Sequence, residues 1–167
     1  FVYDDSSQVL KNYWIRDVKN LPEIFTKSVW AFQSAPVVSN YYRPVMNVVY
    51  MANYHLFGLK PWGFHLVNVL FHAGVSVLVF FVTARLGAGS FPDPSPPPVA
   101  RGGMGGLLSL PFIAALLFAV HPIHTEAVAW VAGLPDLSFT FFFLLSFALY
   151  IDSTKGTEIH KGRYALS

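Results

Sequence analysis

Pro61-Trp62-Gly63-Phe64-His65-Leu66-Val67-Asn68-Val69-Leu70-Phe71-His72-Ala73-Gly74-Val75-Ser76-Val77-Leu78-Val79-Phe80-Phe81-Val82-Thr83-Ala84-Arg85 is the stretch that decides the fold class. Residues 63–84 run for about 22 positions without a formal charge, opened by Pro61 and Trp62 and closed by Arg85. A helix rises about 1.5 Å per residue, so this run spans a hydrocarbon layer of about 30 Å. Trp62 and Arg85 then mark the two interfaces. The whole chain agrees: 54% apolar and 12% charged residues, with a mean hydropathy of +0.47, exclude a water-soluble globule.

The sixteen Phe, eight Tyr and four Trp suit lipid-facing surfaces and interfacial belts. A net charge of +2 is too small and too scattered for a nucleic-acid surface. Absence of cysteine removes disulfides, thiolate metal sites and a cysteine nucleophile. The chain starts at Phe1 with no signal peptide, which reads as a piece of a longer protein.

Two further spans are expected at 104–120, where Pro111 is tolerable at membrane depth, and at 135–151, which is rich in Phe and Leu. Residues 87–106 form a connector whose Phe91-Pro92-Asp93-Pro94-Ser95-Pro96-Pro97-Pro98 run forbids regular helix. Residues 1–62 hold most of the polar groups and read as an extracytoplasmic loop with interfacial helices. Within that loop, 45–59 mixes Asn47, Tyr50, Asn53, Tyr54 and His55 with apolar residues, favouring a helix along the interface over a crossing. The expected architecture is an all-α integral membrane fragment: a 1–62 loop, a three-span region at 63–151 (spans 63–84, 104–120 and 135–151), and a cytoplasmic tail or start of a further loop at 152–167.

Sidedness follows from the basic residues. Arg85 and Arg101 follow the first span, and Lys155, Lys161 and Arg163 follow the third, whereas 121–136 carries no Lys or Arg. The positive-inside rule makes the first two groups cytoplasmic. His121, His124, Glu126 and Asp136 then lie on the opposite side with the 1–62 segment, including Asp4 and Asp5.

Four constellations carry candidate chemistry. Asp4-Asp5 is a pair of neighbouring carboxylates, suited to general-base work on a hydroxyl; the plainer reading is an Asx turn or helix terminus. His65, Asn68 and His72 share one helical face by their three- and four-residue spacing, for phosphate or substrate binding or for helix packing, with Asn68 the packing candidate. Arg43 among Tyr41, Tyr42 and Pro44 is a phosphate-binding or membrane-anchoring arginine. His121-Pro122-Ile123-His124-Thr125-Glu126 offers imidazoles and a carboxylate for phosphate or acid–base service. It also offers helix capping by Thr125 and Glu126, or, as a weaker alternative, a metal site of His121, His124 and Glu126. The zinc-protease pattern HExxH is absent.

Phe1-Val2-Tyr3-Asp4-Asp5-Ser6, Tyr42-Arg43-Pro44, the 61–72 stretch and His121-Pro122-Ile123-His124-Thr125-Glu126-Ala127-Val128-Ala129-Trp130 together resemble the transmembrane and tetratricopeptide-repeat-containing family, in order and in spacing. That family is similar to the GT-C glycosyltransferases, multi-helix membrane enzymes. The resemblance implies a glycosyltransferase that moves a mannose-like sugar from a polyprenyl-phosphate donor to Ser or Thr hydroxyls of an acceptor protein. It implies Asp4 or Asp5 as catalytic base. Arg43, His65, His72, His121, His124 and Glu126 are the implied lipid-phosphate and substrate contacts, with tetratricopeptide repeats downstream. No cofactor is called for beyond the lipid-linked donor, with a divalent metal as the alternative. The family usually has Gly-Arg-Ala-Asp where this chain has Gly133-Leu134-Pro135-Asp136, which puts one phosphate contact in doubt. The proline-rich connector leans towards a bacterial inner-membrane member, with the endoplasmic-reticulum membrane as the setting for a eukaryotic one. A transporter or channel subunit and a non-catalytic anchor for a repeat scaffold are the rival readings.

Overall fold

The computed structural model describes residues 1, 3–33, 40–90 and 109–164. Val2, residues 104–108 of the second expected span, and residues 91–106 of the connector lie outside them. Among the described residues all regular structure is helical: α1 (Leu21–Thr26), α2 (Pro44–Phe57), α3 (Pro61–Ser90), α4 (Leu110–Val120), α5 (Thr125–Ala129) and α6 (Leu134–Tyr164), with short 3₁₀ and π turns between them. Two stretches, Pro61–Gly87 and Val131–Thr154, are long and apolar enough to cross a membrane. Leu110–Val120 and Pro122–Ala129, bent by 46° where they meet, pass the same test only as a pair, which fits a broken span or a re-entrant loop. The fold is that of an all-α integral membrane protein.

Helix boundaries follow local chemistry. Pro44 and Pro61 open α2 and α3, where the missing N–H would have had no intrahelical partner. Gly58, at φ 64°, ends α2 in a conformation glycine adopts without a Cβ penalty. Helix α3 runs to Ser90, beyond the 84 expected from hydropathy, and α6 runs to Tyr164, beyond the expected 151. Charge ends an apolar run but does not end a helix.

The chain folds as two compact units, Phe1–Phe71 with Ile123–Phe139, and His72–Pro122 with Thr140–Ser167. The first has a core of Val9, Trp14, Ile15, Ile24, Met46, Tyr50, Phe64, Val131 and Leu134. Phe64 sits edge-on to both Phe1 and Tyr50, with ring centroids 5.5 Å and 5.7 Å away. The mixed face of α2 turns inward: Met46, Asn47, Tyr50, Met51 and Asn53 are all buried. Asn12 accepts the Trp14 N–H at 3.1 Å and donates to Asn47 Oδ1 at 3.1 Å, so the Asn47 amide of α2 is used inside the unit.

In the second unit a Cβ on Gly74 would stand 2.8 Å from Phe141 Cε2, a close helix–helix approach that glycine permits. Arg85 near the end of α3 forms an ion pair with Asp152 of α6, each half-exposed. That pair joins α3 to α6 within the second unit.

Candidate active site

A cavity of about 600 Å³ in the first unit is lined by Tyr3, Asp4, Thr125, Glu126, Ala129 and Trp130. The N-terminal segment supplies one wall and α5 with its following residue the other. It brings together Asp4 and Glu126 from the expected site residues, and adds two aromatic rings. Among the described residues, none that lines it is a cation.

Tyr3 has a φ of 46°, rare for a residue with a side chain. The chain turns there, and its two neighbouring carboxylates part. Asp4 is exposed on the cavity wall, whereas Asp5 is 1% exposed. Asp5 Oδ1 accepts the N–H of Ala132 at 2.9 Å. A buried carboxylate is tolerable where backbone donors replace the lost water.

Helix α5 starts at Thr125, with His124 as N-cap and no side-chain capping bond. The expectation that Thr125 and Glu126 cap a helix over 127–132 is corrected accordingly. The segment is held from its other end. Asn68, 1% exposed on α3, donates through Nδ2 to the Trp130 carbonyl at 2.8 Å and lies 3.4 Å from the Ala127 and Val128 carbonyls. These are the carbonyls a helix C-terminus leaves without an intrahelical donor. Asn68→Leu is expected to destabilise this unit by about 1–3 kcal/mol, and Asn68→Asp by more, because a carboxylate there would face three carbonyl oxygens. Thermal unfolding of the solubilised full-length protein checks the order of the two.

The other expected residues are placed elsewhere. Arg43 is the N-cap of α2, its guanidinium 5.1 Å from the Tyr41 ring centroid, while the Tyr42 hydroxyl donates to the Phe25 carbonyl at 2.7 Å. His65 is half-buried on α3. His72 Nε2 lies 3.0 Å from the Ala119 carbonyl, a bond it makes as donor, and its ring stacks on Phe118 at 5.6 Å. His121 is exposed at the C-cap of α4 and His124 is half-buried before α5. Among the described residues no three His, Asp or Glu side chains gather as metal ligands would. Pro122 lies between the two imidazoles and breaks the helix that would have aligned them.

Tyr50 and Trp130 were not singled out from sequence as site residues. The Tyr50 hydroxyl donates to the Val131 carbonyl at 3.0 Å, directly beside the Asp5 contact. Burial holds the Tyr50 phenol well above its ordinary range, the Asp5 charge adds to that, and Arg43 opposes it. Tyr50 is therefore a neutral donor. Leu134, in the Gly133-Leu134-Pro135-Asp136 stretch, is 0% exposed in the core of the unit.

Fold and cavity define an all-α integral membrane protein with an acidic, aromatic recess. Protein O-mannosyl-transferase TMTC4 of Mus musculus is 35% identical over 171 residues, which cover 99% of this chain and 22% of that protein. Protein O-mannosyl-transferase TMTC3 of Mus musculus is 40% identical over 95% of this chain and 15% of its own length. Protein O-mannosyl-transferase TMTC2 of the same species is 37% identical over 93% and 17%. The chain belongs, over the stretch it spans, to the transmembrane and tetratricopeptide-repeat-containing family. It spans about a fifth of the length of the TMTC4 relative and less of the other two. No family model matches the chain. No solved structure matches it.

Proposed function

We propose that the chain carries part of the active site of a membrane glycosyltransferase, which moves a mannose-like sugar from a polyprenyl-phosphate donor to Ser or Thr hydroxyls of proteins. One observation carries the reading: Asp4 stands exposed on a cavity with Glu126, Thr125, Tyr3 and Trp130, in a chain matched along nearly its whole length by proteins named O-mannosyl-transferases. Aromatic faces beside carboxylates suit a neutral sugar ring, which offers apolar C–H faces and a rim of hydroxyls.

Asp4 accepts the proton of the acceptor hydroxyl as its oxygen attacks the anomeric carbon. The bond from that carbon to the donor phosphate breaks, and the phosphate oxygen keeps the electron pair. The Asp4 and Glu126 carboxylates repel a phosphate, so the lipid phosphate belongs outside this cavity. Glu126 then serves sugar or acceptor hydroxyls. Among the residues of this unit, Arg43, His65 and His124 keep the phosphate-binding role. Donation from a lipid fits a chain with two helices able to cross a membrane.

The test uses membranes containing the full-length protein, a Ser/Thr peptide, and either polyprenyl-phosphate mannose or a nucleotide-linked mannose. Transfer from the lipid donor alone is expected. Transfer from the nucleotide sugar alone, or from neither, overturns the reading.

A further inference from the structure

The Val131–Ala132 peptide group is gripped at both polar ends by side chains distant in sequence. Tyr50 donates to its carbonyl at 3.0 Å, and Asp5 accepts from its N–H at 2.9 Å. Asn68 takes the preceding carbonyl, that of Trp130, at 2.8 Å. Asp5, Tyr50 and Asn68 are each 1% exposed, and Val131 is 0% exposed, so water does not compete for these bonds. The gripped peptide lies immediately after Trp130, which lines the cavity with Glu126 and Ala129. Asp5 lies immediately after Asp4, which lines it from the other side.

We propose that Asp5 and Tyr50 are positioning residues: by clamping one peptide group they tie the wall carrying Asp4 to the wall carrying Glu126 and Trp130, and so set the gap in which Asp4 meets its substrate. The inference rests on the proposed transfer reaction, and it assigns the two neighbouring aspartates different work. Asp5 has its carboxylate buried on a backbone N–H, so it supplies geometry. Asp4 is left as the carboxylate in contact with the cavity. A misplacement of about 1 Å costs on the order of 100-fold in rate when reacting groups must be aligned.

The substitutions separate a clamp from a base. Asp5→Asn keeps an oxygen able to accept the Ala132 N–H, whereas Asp5→Ala does not. In membranes with the full-length protein, Asp5→Ala is expected to lower kcat about 100-fold with little change in acceptor KM. Asp5→Asn is expected to stay within about 10-fold of the unmodified protein. Tyr50→Phe is expected to lower kcat about 10-fold and to combine non-additively with Asp5→Ala, because both act on one peptide group. Equal loss in Asp5→Asn and Asp5→Ala overturns the proposal. So does strict additivity. Hydrogen exchange gives a readout independent of activity: residues 130–133 should exchange faster in Asp5→Ala and Tyr50→Phe than in Asp5→Asn. Unchanged exchange in all three overturns the clamp. If the unmodified protein transfers no sugar while exchange follows the expected order, the transfer reading falls and the clamp stands.

Discussion

Asp4→Asn in the full-length protein is expected to lower sugar transfer by about 10²- to 10⁴-fold, the range that a positioned general base contributes. The substitution is isosteric, and Asp4 is exposed, so neither packing nor burial changes with it. What it removes is the one property the proposed step needs at that position, an oxygen basic enough to take the hydroxyl proton. The neighbouring carboxylate is poorly placed to substitute for it, because Asp5 is buried against the Ala132 N–H. Glu126 shares the cavity, so Glu126→Gln gives the internal comparison. It is expected to cost less than Asp4→Asn and to act mainly on KM, since a hydroxyl-binding group contributes in the ground state as well as the transition state. Initial rates for both variants, at matched expression and thermal stability, make the test. Transfer by Asp4→Asn within about threefold of the unmodified protein would remove Asp4 from the chemistry.

The long helices were legible in the sequence because the hydrophobic effect reads composition along one segment. The uncharged run at 63–84 needed no partner to declare itself, and its helix is present as Pro61–Ser90. The aspartate pair was legible as chemistry and not as geometry. Nothing in the letters Asp-Asp says that a left-handed turn at Tyr3 exposes one carboxylate and buries the other; that division depends on Ala132, 127 residues further on. Helix α2 is illegible in the same respect. Nothing local says that its Asn47 and Tyr50 find their partners in Asn12, 35 residues before Asn47, and Val131, 81 residues after Tyr50. Polar residues are ambiguous in sequence because burial with a hydrogen bond and exposure to water satisfy them equally. The histidine motif was ambiguous in another way: its spacing left phosphate or acid–base service, capping and ligation open, and Pro122 ends the regular helix between the two rings.

Gly133→Ala is expected to disturb the site more than its single added methyl group suggests. A Cβ at that position would meet the Ala127 carbonyl oxygen at 2.5 Å, its Cα at 2.9 Å and its carbonyl carbon at 3.0 Å. All three are backbone atoms, so no rotamer change relieves the contact. The same addition at Gly74 would meet the edge of the Phe141 ring at 2.8 Å, and a ring can tilt. At Gly133 the movement must come from α5 itself, whose C-terminal carbonyls are held by Asn68 and whose residues Thr125, Glu126 and Ala129 line the cavity. Overpacking of this kind costs about 1–3 kcal/mol in a close-packed interior. Here the displacement is directed along the wall that faces Asp4, so transfer should fall by on the order of 100-fold through kcat. Gly74→Ala, with a yielding neighbour, should leave transfer within about threefold and unfolding within about 1 kcal/mol. Parallel measurement of the two glycine variants decides the matter: equal transfer rates would mean that the Ala127–Gly133 approach does not set the position of Glu126, and that the cavity tolerates a movable wall.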